Sequence, residues 1–356
     1  MNPFLDLRSD AEFGRLRTIS AELGKDPLQV QGPGGNTSLK RDGCMWIKAS
    51  GTWLAEAETR DIMVPVYSDR FVEALKSGDE SASDTARFLA DVDGAPDLHS
   101  SIETSVHALL DSPVVLHTHC VSTIAIAVRA DAEEIVRDRL AGLDAVFIPY
   151  AKPGLDLARG IMARASGTTK ILILGNHGLV ATGQSSEEAV KRLFEVSRRL
   201  EPGSVEGGHA PDAAWVRSLE GTGWKPAPFE TTQAVAFNDR LLQIADGNSL
   251  YPDHVVFLGP GCVVARGAET PAEAARRGSA GRSDRKLVIC PGKGAAIPED
   301  ANAATLTLVR AFGDVLVRVA PGSKVTRLSD RQEDELINWD AEKLRQALNR
   351  NDGATP

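Results

Sequence analysis

Short apolar runs alternate with helix-like stretches through the first 200 residues of the chain. Val114–Leu116 leads into two histidines, and Lys170-Ile-Leu-Ile-Leu is followed by a glycine turn, a second apolar run and a helix over 186–200. Short apolar runs between turn signals are typical of strands buried on both faces. Strands that alternate with helices predict a layered α/β domain.

The spacing of apolar residues predicts further elements. Apolar residues from Phe13 to Leu23 recur at helical spacing after Ser9, which predicts an opening helix that Ser9 caps. A strand is predicted from Met45 into a glycine turn at residue 51. More helices are predicted over 70–75, 82–89, 100–110, 122–140 and 330–349.

The length of 356 residues exceeds one ordinary core and predicts about two domains. We expect a first domain over 1–205, a linker over the Gly- and Pro-rich residues 206–230, and a C-terminal α/β domain over 231–356. Lys286–Ala296 followed by a helix repeats the plan of the segment from Lys170, with Lys293 opposite His177. The second domain is open to three interpretations: a degenerate repeat of the first, a cover over its active site, or an assembly surface.

Charge and composition exclude several classes of partner. Lys and Arg total 40 against 49 Asp and Glu, so the net charge of −9 offers no basic footprint for a nucleic acid or an anionic membrane. Apolar runs are far shorter than the roughly 20 residues of a membrane span, and no secretory signal begins the sequence, so we expect a cytoplasmic protein. The four cysteines are scattered, which disfavours a disulfide scaffold or an all-thiolate zinc site.

Three histidines have the pattern of a metal site. His117 and His119 share one face of a predicted strand, because side chains at i and i+2 point the same way. Such a pair also serves hydrogen bonding within a strand, and the pair alone leaves both interpretations open. A third imidazole, His177, lies in Gly175-Asn-His-Gly178, where glycines permit a tight turn. Three histidines with one open position are typical of a catalytic zinc site.

Glu103 lies on a predicted helix fourteen residues before His117, with His107 one turn further along the same face. A carboxylate beside a divalent cation can act as a fourth ligand or as a general base. Taken singly, Glu103 is better explained as a solvated or salt-bridged helix residue. It becomes a candidate catalytic group only beside the three histidines.

Three loops offer small residues whose backbone N–H and hydroxyl groups suit an anion: 34–38, 50–52 and 100–101. Taken alone, each is better explained as an ordinary turn. Neither Gly34-Gly35 nor Gly292-Lys-Gly294 has the glycine spacing of a Walker loop or a dinucleotide fingerprint.

Together these segments resemble the class II aldolase/adducin family, and most closely the aldolase portion of bifunctional rhamnulose-phosphate aldolase/short-chain alcohol dehydrogenase proteins. The resemblance covers about residues 10–200 and runs in order through Gly-Gly-Asn-Thr-Ser-Leu-Lys (34–40), Trp-Ile-Lys-Ala-Ser-Gly (46–51), Ser-Ile-Glu-Thr-Ser-Val-His-Ala-Leu-Leu (101–110), His-Thr-His (117–119), Ile-Pro-Tyr-Ala-Lys-Pro-Gly (148–154) and Gly-Asn-His-Gly (175–178). It implies a three-layer α/β/α domain with a central mixed sheet, followed here by a smaller α/β C-terminal domain.

The resemblance also implies the site. Zn²⁺, or another divalent cation such as Mn²⁺ or Co²⁺, would be held by His117, His119 and His177. Glu103 stands at the position of the catalytic acid/base, which can also ligate the metal when no substrate is bound. The positions that bind substrate phosphate in the family correspond here to Asn36, Thr37, Ser50, Gly51 and Ser101.

The implied activity is that of a zinc-dependent lyase of carbohydrate metabolism. It would cleave a short hydroxylated carbonyl compound, such as a sugar phosphate, by a retro-aldol reaction through a metal-stabilised enediolate, as a homo-oligomer and by analogy a tetramer. Dehydratase, decarboxylase or 4-epimerase chemistry would use the same residues, and a non-catalytic adducin-like interaction module is a third hypothesis. Two departures bear on the substrate: residues 129–146 lack the family's proton-donating tyrosine, with Tyr150 the nearest, and Ile102 interrupts the usual Ser-Ser-Glu.

Overall fold

A computed structural model describes residues 2–202, 207–279 and 284–349, and the chain divides into two compact units. The first comprises Met1–Thr123 and Ala132–Leu200, and the second comprises Ile124–Asp131 and Glu201–Pro356. The predicted boundary between residues 205 and 206 lies outside the described residues. The inserted segment 124–131 belongs to the second unit, where its backbone forms a β-bridge between Arg129 and Val325.

The first unit is built on a seven-stranded sheet. Its strands are β1 (Asn36–Arg41), β2 (Cys44–Lys48), β3 (Met63–Tyr67), β4 (Val114–Thr118), β5 (Ala145–Ile148), β6 (Ile171–Leu174) and β7 (Gly178–Gly183). Its helices are α1 (Pro3–Ser9), α2 (Ala11–Lys25), α3 (Ser68–Ser77), α4 (Thr104–Leu109), α5 (Val121–Ala127, which runs into the inserted segment), α6 (Ala132–Arg139), α7 (Leu155–Arg164) and α8 (Ser186–Leu200).

The strand order of this sheet is β3-β2-β1-β4-β7-β6-β5, and only the β5–β6 pair is parallel. Helices cover both faces, as the side chains of β1 show. Thr37 contacts Ser20 of α2, whereas Ser38 contacts His107 of α4. Because successive side chains of a strand point to opposite faces, α2 and α4 lie on opposite sides of the sheet. The predicted α/β class with a central mixed sheet is confirmed.

Several helices differ from the predicted ones in where they begin and end or in number. The opening helix begins after Asp10, whose side chain accepts from the Glu12 backbone N–H, and Ser9 instead ends a separate α1. The stretch 122–140 forms two helices rather than one, since its middle belongs to the second unit. Residues 82–89 form only short 3₁₀ turns, and the helix predicted over 100–110 begins at Thr104.

The second unit contains a four-stranded sheet and eight helices within its described residues. The strands are β8 (Trp224–Pro226), β9 (Val263–Val264), β10 (Val288–Cys290) and β11 (Gly294–Pro298). The helices are α9 (Ala213–Ser218), α10 (Glu230–Ala234), α11 (Asp239–Ala245), α12 (Pro252–Leu258), α13 (Pro271–Ser279), α14 (Ala303–Leu316), α15 (Asp330–Ile337) and α16 (Asp340–Leu348). The last two replace the single helix predicted over 330–349.

The predicted linker over 206–230 contains ordered elements of this second unit. Strand β8 pairs with β11, and Trp215 of α9 is buried in the core beside Val263 and Val288. Burial of this indole and the backbone pairing of β8 anchor the segment, although its Gly and Pro content is typical of a linker.

The second sheet repeats the connectivity of the last four strands of the first. Its order β8-β11-β10-β9 matches β4-β7-β6-β5, and in both sets only the last pair is parallel. Each hairpin is followed by a helix, α8 or α14. A constant offset of 116 residues separates equivalent positions: Leu174 and Cys290, Gly178 and Gly294, Leu200 and Leu316.

Of the helices in the described parts of the chain, none combines the length and the apolar composition that crossing a bilayer requires. All four cysteines are buried thiols without a disulfide partner.

Candidate metal centre

The centre of the first sheet places His117 beside α4. In the β-ladders, His117 of β4 lies opposite Asn36 of β1 on one side and Val180 of β7 on the other. Val115, two residues before His117 and on the same face, belongs to the same buried apolar cluster as Val106 of α4. His117 therefore points to the side of the sheet on which the N-terminus of α4 carries Glu103.

Four side chains converge at this point. One ligand atom from each of Glu103, His117, His119 and His177 lies within 4.8 Å of the other three. The centroids of the three imidazole rings are 5.0–5.2 Å apart. All four residues are at most 7% exposed. The structure thus brings together the four residues that the sequence singled out.

Glu103 lies among the imidazoles with one oxygen close to two of them. Its Oε1 is 3.3 Å from His117 Nε2 and 3.1 Å from His177 Nε2. Among the described residues, no Lys or Arg forms an ion pair with this buried carboxylate. Three imidazoles and one carboxylate are a donor set typical of zinc and related divalent cations. Such a cation would neutralise the buried charge, so the residues fit a metal ion.

The protonation states of the cluster suit metal binding. Burial alone would raise the pKa of Glu103, but its interactions with His117 and His177 outweigh burial and hold that pKa well below its usual range. Glu103 is therefore a carboxylate. His117 Nδ1 lies 3.0 Å from the Leu179 carbonyl oxygen, which can only accept, so Nδ1 carries a proton and Nε2 is the nitrogen that faces the cluster.

A tight turn between β6 and β7 presents His177. Asn176 has a positive φ of 54°, and the His177 backbone N–H donates to the Leu174 carbonyl at 3.1 Å. The turn requires glycine at position 178 because the chain passes close to β4 there: a Cβ on residue 178 would lie 2.4 Å from the Thr118 carbonyl oxygen. The turn can bring His177 against β4 only because residue 178 has no side chain.

The N-terminal end of α4 positions Glu103. Glu103 is the residue immediately before the helix, whereas the helix predicted over 100–110 includes it. Its backbone N–H donates to Ser101 Oγ at 3.2 Å, and Asn36 Nδ2 donates both to Ser101 Oγ at 3.1 Å and to Glu103 Oε2 at 2.7 Å. Asn36 and Ser101 thus contact the metal centre through Glu103. Both amide hydrogens of Asn36 are engaged in these bonds.

The other predicted substrate-binding residues lie in different surroundings. The Thr37 hydroxyl is 2.7 Å from Ser20 Oγ on the α2 side of the sheet, so this side chain points away from Asn36. Ser50 and Gly51 are half-buried in a turn. The Ser50 backbone N–H donates to the His99 carbonyl at 2.8 Å, which holds this turn beside the segment that leads to Ser101.

Sequence reasoning did not assign roles to three buried polar residues near the site. Lys48 Nζ donates to the carbonyls of Pro33 and Gly35 at 2.9 and 3.0 Å, which secures the loop before Asn36. His107 contacts Ser38 through one ring nitrogen and Asn36 through the other. The sequence signals were the position of His107 one turn after Glu103 and the place of Ser38 in the loop 34–38.

A family model described as the Class II Aldolase and Adducin N-terminal domain matches residues 16–201, just over half of the chain. The chain belongs to the class II aldolase/adducin family. The match includes every residue of the candidate metal centre. It ends at residue 201 and therefore does not extend over the sequence that forms the second sheet. The resemblance inferred from the sequence is therefore confirmed.

Several solved structures are similar to this class II aldolase-family chain. The N-terminal class II aldolase domain of a conserved protein from Thermoplasma acidophilum is 25% identical over 54% of this chain and 92% of that chain, with a TM-score of 0.47. A putative aldolase/epimerase/decarboxylase, YgbL from Klebsiella pneumoniae, is 18% identical over 61% and 91%, with a TM-score of 0.38. An l-fuculose-1-phosphate aldolase from Thermus thermophilus is 16% identical over 53% and 90%, with a TM-score of 0.34. No curated protein sequence matches the chain significantly.

Proposed function

We propose that this protein is a metal-dependent lyase that cleaves a short hydroxylated carbonyl compound, such as a sugar phosphate, by a retro-aldol reaction. The observation that carries the proposal is the buried cluster of Glu103 with three histidines in a class II aldolase-family domain. His117, His119 and His177 would hold the cation, and zinc suits this donor set. When bound, the cation would act as a Lewis acid that polarises the substrate carbonyl.

Glu103 supplies the proton-transfer group in this proposal. A carboxylate with a lowered pKa is ionised at neutral pH and can accept the proton of the substrate hydroxyl whose oxygen becomes the aldehyde. The protonated Glu103 can then return this proton to the carbon of the enediolate that cleavage leaves. Without substrate, the same carboxylate lies 3.1–3.3 Å from two imidazole nitrogens and would serve as the fourth metal ligand. Substrate binding would displace Glu103 from this position and release it to act as the base.

The loop around Ser50 and Gly51, together with Ser101, would receive the anionic end of the substrate. Their backbone N–H and hydroxyl groups bind anions without a cationic side chain. This suits a chain whose net charge is −9, because recognition then depends on local donors and the bound cation. Thr37 would contribute through its backbone alone, since its hydroxyl contacts Ser20.

The second unit is, in our proposal, a degenerate copy of the last four strands of the first, without metal chemistry. Pro226 lies opposite Ala296 as His117 lies opposite Val180, and these partners differ by the 116-residue offset. Pro226 therefore stands at the position of His117, and Pro228 stands two residues later at that of His119. Lys293 replaces His177. We expect one metal ion per chain rather than two.

The test is metal analysis combined with a reaction panel. The purified full chain should contain close to one zinc per chain, and zinc-loaded protein should cleave a member of a panel of ketose 1-phosphates. Glu103→Gln should keep the metal and lose turnover by about 100-fold or more. Glu333→Gln makes the same change at a buried carboxylate of the second unit and should leave turnover unchanged.

Absence of bound metal, with no activity gained on adding Zn²⁺, Mn²⁺ or Co²⁺, would contradict the proposal. Dehydration, decarboxylation or epimerisation of the same panel without cleavage would assign the site to one of those reactions instead. The lack of a tyrosine in residues 129–146 makes this comparison necessary.

A further inference from the structure

A chain of buried hydrogen bonds leads from β1 through α4 to Glu103. Ser38 Oγ lies 2.7 Å from His107 Nδ1, His107 Nε2 contacts Asn36 Oδ1, and Asn36 Nδ2 lies 2.7 Å from Glu103 Oε2. These four residues are between 0% and 6% exposed. The chain approaches Glu103 from the oxygen that faces away from the two nearby imidazoles.

The donor and acceptor of each bond follow from the orientation of the Asn36 amide. Its NH₂ group faces Glu103 Oε2, and its oxygen, which can only accept, faces His107. His107 must then donate from Nε2. Burial keeps His107 neutral by lowering its pKa well below the usual value, so Nδ1 is unprotonated and accepts from the Ser38 hydroxyl. Each bond thereby determines the direction of the next.

We infer that His107 is a positioning residue, which holds the Asn36 amide in the one orientation that fixes Glu103. The inference rests on the proposed function insofar as Glu103 is the metal ligand and base. Without the imidazole donor, the Asn36 amide could rotate by 180° and present its oxygen to a carboxylate oxygen. Two acceptors would then face each other at 2.7 Å, and Glu103 would leave this position.

The alternative is that His107 only fills space in the core. The contacts distinguish the two roles, because both ring nitrogens are within hydrogen-bond distance of polar atoms. A space-filling histidine would tolerate an apolar replacement of similar size without any effect at Glu103.

The first experiment needs no substrate. Nitrogen-15 NMR of histidine-labelled full-length protein distinguishes the two neutral tautomers and the imidazolium of each of the seven histidines. The signal that disappears in His107→Leu belongs to His107 and should show the Nε2–H tautomer. An Nδ1–H tautomer or an imidazolium at pH 7 would overturn the inference.

The second experiment compares variants by zinc affinity, measured by chelator competition, and by kcat and KM. His107→Leu should weaken zinc binding about 10-fold or more and lower kcat by a similar factor, since residues behind metal ligands have effects of this size. His107→Gln should recover most of both, because its amide nitrogen can still donate to Asn36. KM should change by less than about threefold, because His107 contacts no substrate.

Ser38→Ala provides a milder test that preserves the core. Loss of one neutral hydrogen bond should lower zinc affinity and kcat by about fivefold. The matched control is Ser112→Ala, which removes a buried hydroxyl bonded to Thr182 at 3.0 Å in the same unit and should change neither value.

The outcomes separate this inference from the proposed function. If the wild type cleaves no substrate but His107→Leu weakens zinc binding and His107→Gln restores it, the proposed reaction fails and the positioning role stands. If His107→Leu folds, binds zinc as the wild type does and has an unchanged kcat, the positioning role is refuted. Equal losses in the Leu and Gln variants would also refute it, since a merely structural effect would not distinguish them.

Discussion

Gly178→Ala should destabilise the first unit and weaken metal binding through a single methyl group. A Cβ at this position would lie 2.4 Å from the Thr118 carbonyl oxygen and 3.3 Å from His117 Cε1. The φ of Gly178 is outside the left-handed region, so the penalty is steric and not conformational.

The loss of stability in Gly178→Ala depends on which neighbouring atoms can move away from the added methyl group. A carbon–oxygen contact of 2.4 Å is roughly 0.8 Å closer than van der Waals contact permits. The atom in the way belongs to the backbone of β4, which pairs with β7 directly beside it, where Thr118 lies opposite Leu179. Relief requires the two strands to separate locally. We expect a cost of about 3 kcal/mol, the upper part of the range for overpacked cores, and a zinc affinity lowered about 10-fold.

A second glycine provides a control for which the expected change in stability has the opposite sign. Gly14 lies inside α2 with no atom within 4 Å of a Cβ built there. Gly14→Ala should therefore stabilise the protein by about 0.5–1 kcal/mol, the difference in helix propensity between the two residues. Both variants add the same methyl group to the same unit.

Hydrogen exchange by mass spectrometry on metal-free protein would measure the local effect. Peptides that cover β4 and β7 should exchange much faster in Gly178→Ala and at the same rate or more slowly in Gly14→Ala. Chelator competition would give the zinc affinities. Unchanged exchange in β4 and β7 together with wild-type zinc affinity in Gly178→Ala would refute the close-approach argument.

Three further predictions concern single side chains. His117→Ala should lose zinc, seen as less than about one tenth of an equivalent by elemental analysis after dialysis, since a ligand is removed. Glu12 accepts from the Ser186 backbone N–H at 2.5 Å; burial raises its pKa, but its hydrogen bonds lower it overall below the ordinary 4.5. Glu12→Gln should therefore cost about 1 kcal/mol in urea unfolding at pH 7, and the difference should vanish as the pH falls through the lowered pKa. Asp253→Asn breaks a buried ion pair and should cost about 3 kcal/mol, whereas Asp340→Asn, at an exposed pair, should change stability by less than about 0.5 kcal/mol.

Each of these three predictions would be contradicted by a specific result. Retention of a full zinc equivalent would remove His117 from the ligand set. A Glu12→Gln deficit that persists at pH 2 would show that the lost stability is not electrostatic. Equal costs for the two aspartate variants would show that burial does not govern these ion pairs.

The candidate ligands could be predicted because their signals are local. The i, i+2 spacing of His117 and His119 and the glycines around His177 are readable within a few residues. The place of Asn36 could not be predicted in this way, since it depends on the register that sets Asn36 opposite His117 across two strands far apart in sequence. Thr37 follows from the same register, which turns its side chain to the other face.

The second unit was harder to interpret for a physical reason. Strand β8 has three residues, ends in a proline and lies among Gly and Pro residues that normally mark a linker. Its assignment as a strand comes from pairing with β11, a contact across about 70 residues of sequence. The sequence does show the similar segments from Lys170 and Lys286, but not the surrounding strands that complete the correspondence.

The match between the second sheet and the last four strands of the first sheet helps to decide whether the three histidines of the first unit serve only to stabilise the fold. The same four-strand connectivity, hairpin register and helix end recur in the second unit with Pro226, Pro228 and Lys293 at the equivalent positions. The glycine at the hairpin is kept in both, and in both a Cβ would meet neighbouring atoms at 2.5 Å or less. A scaffold that keeps its sterically required glycine but folds without the imidazoles does not need them for folding. Burying three histidines around a carboxylate is therefore a cost that the fold does not require, and the cation binding that we propose would explain it.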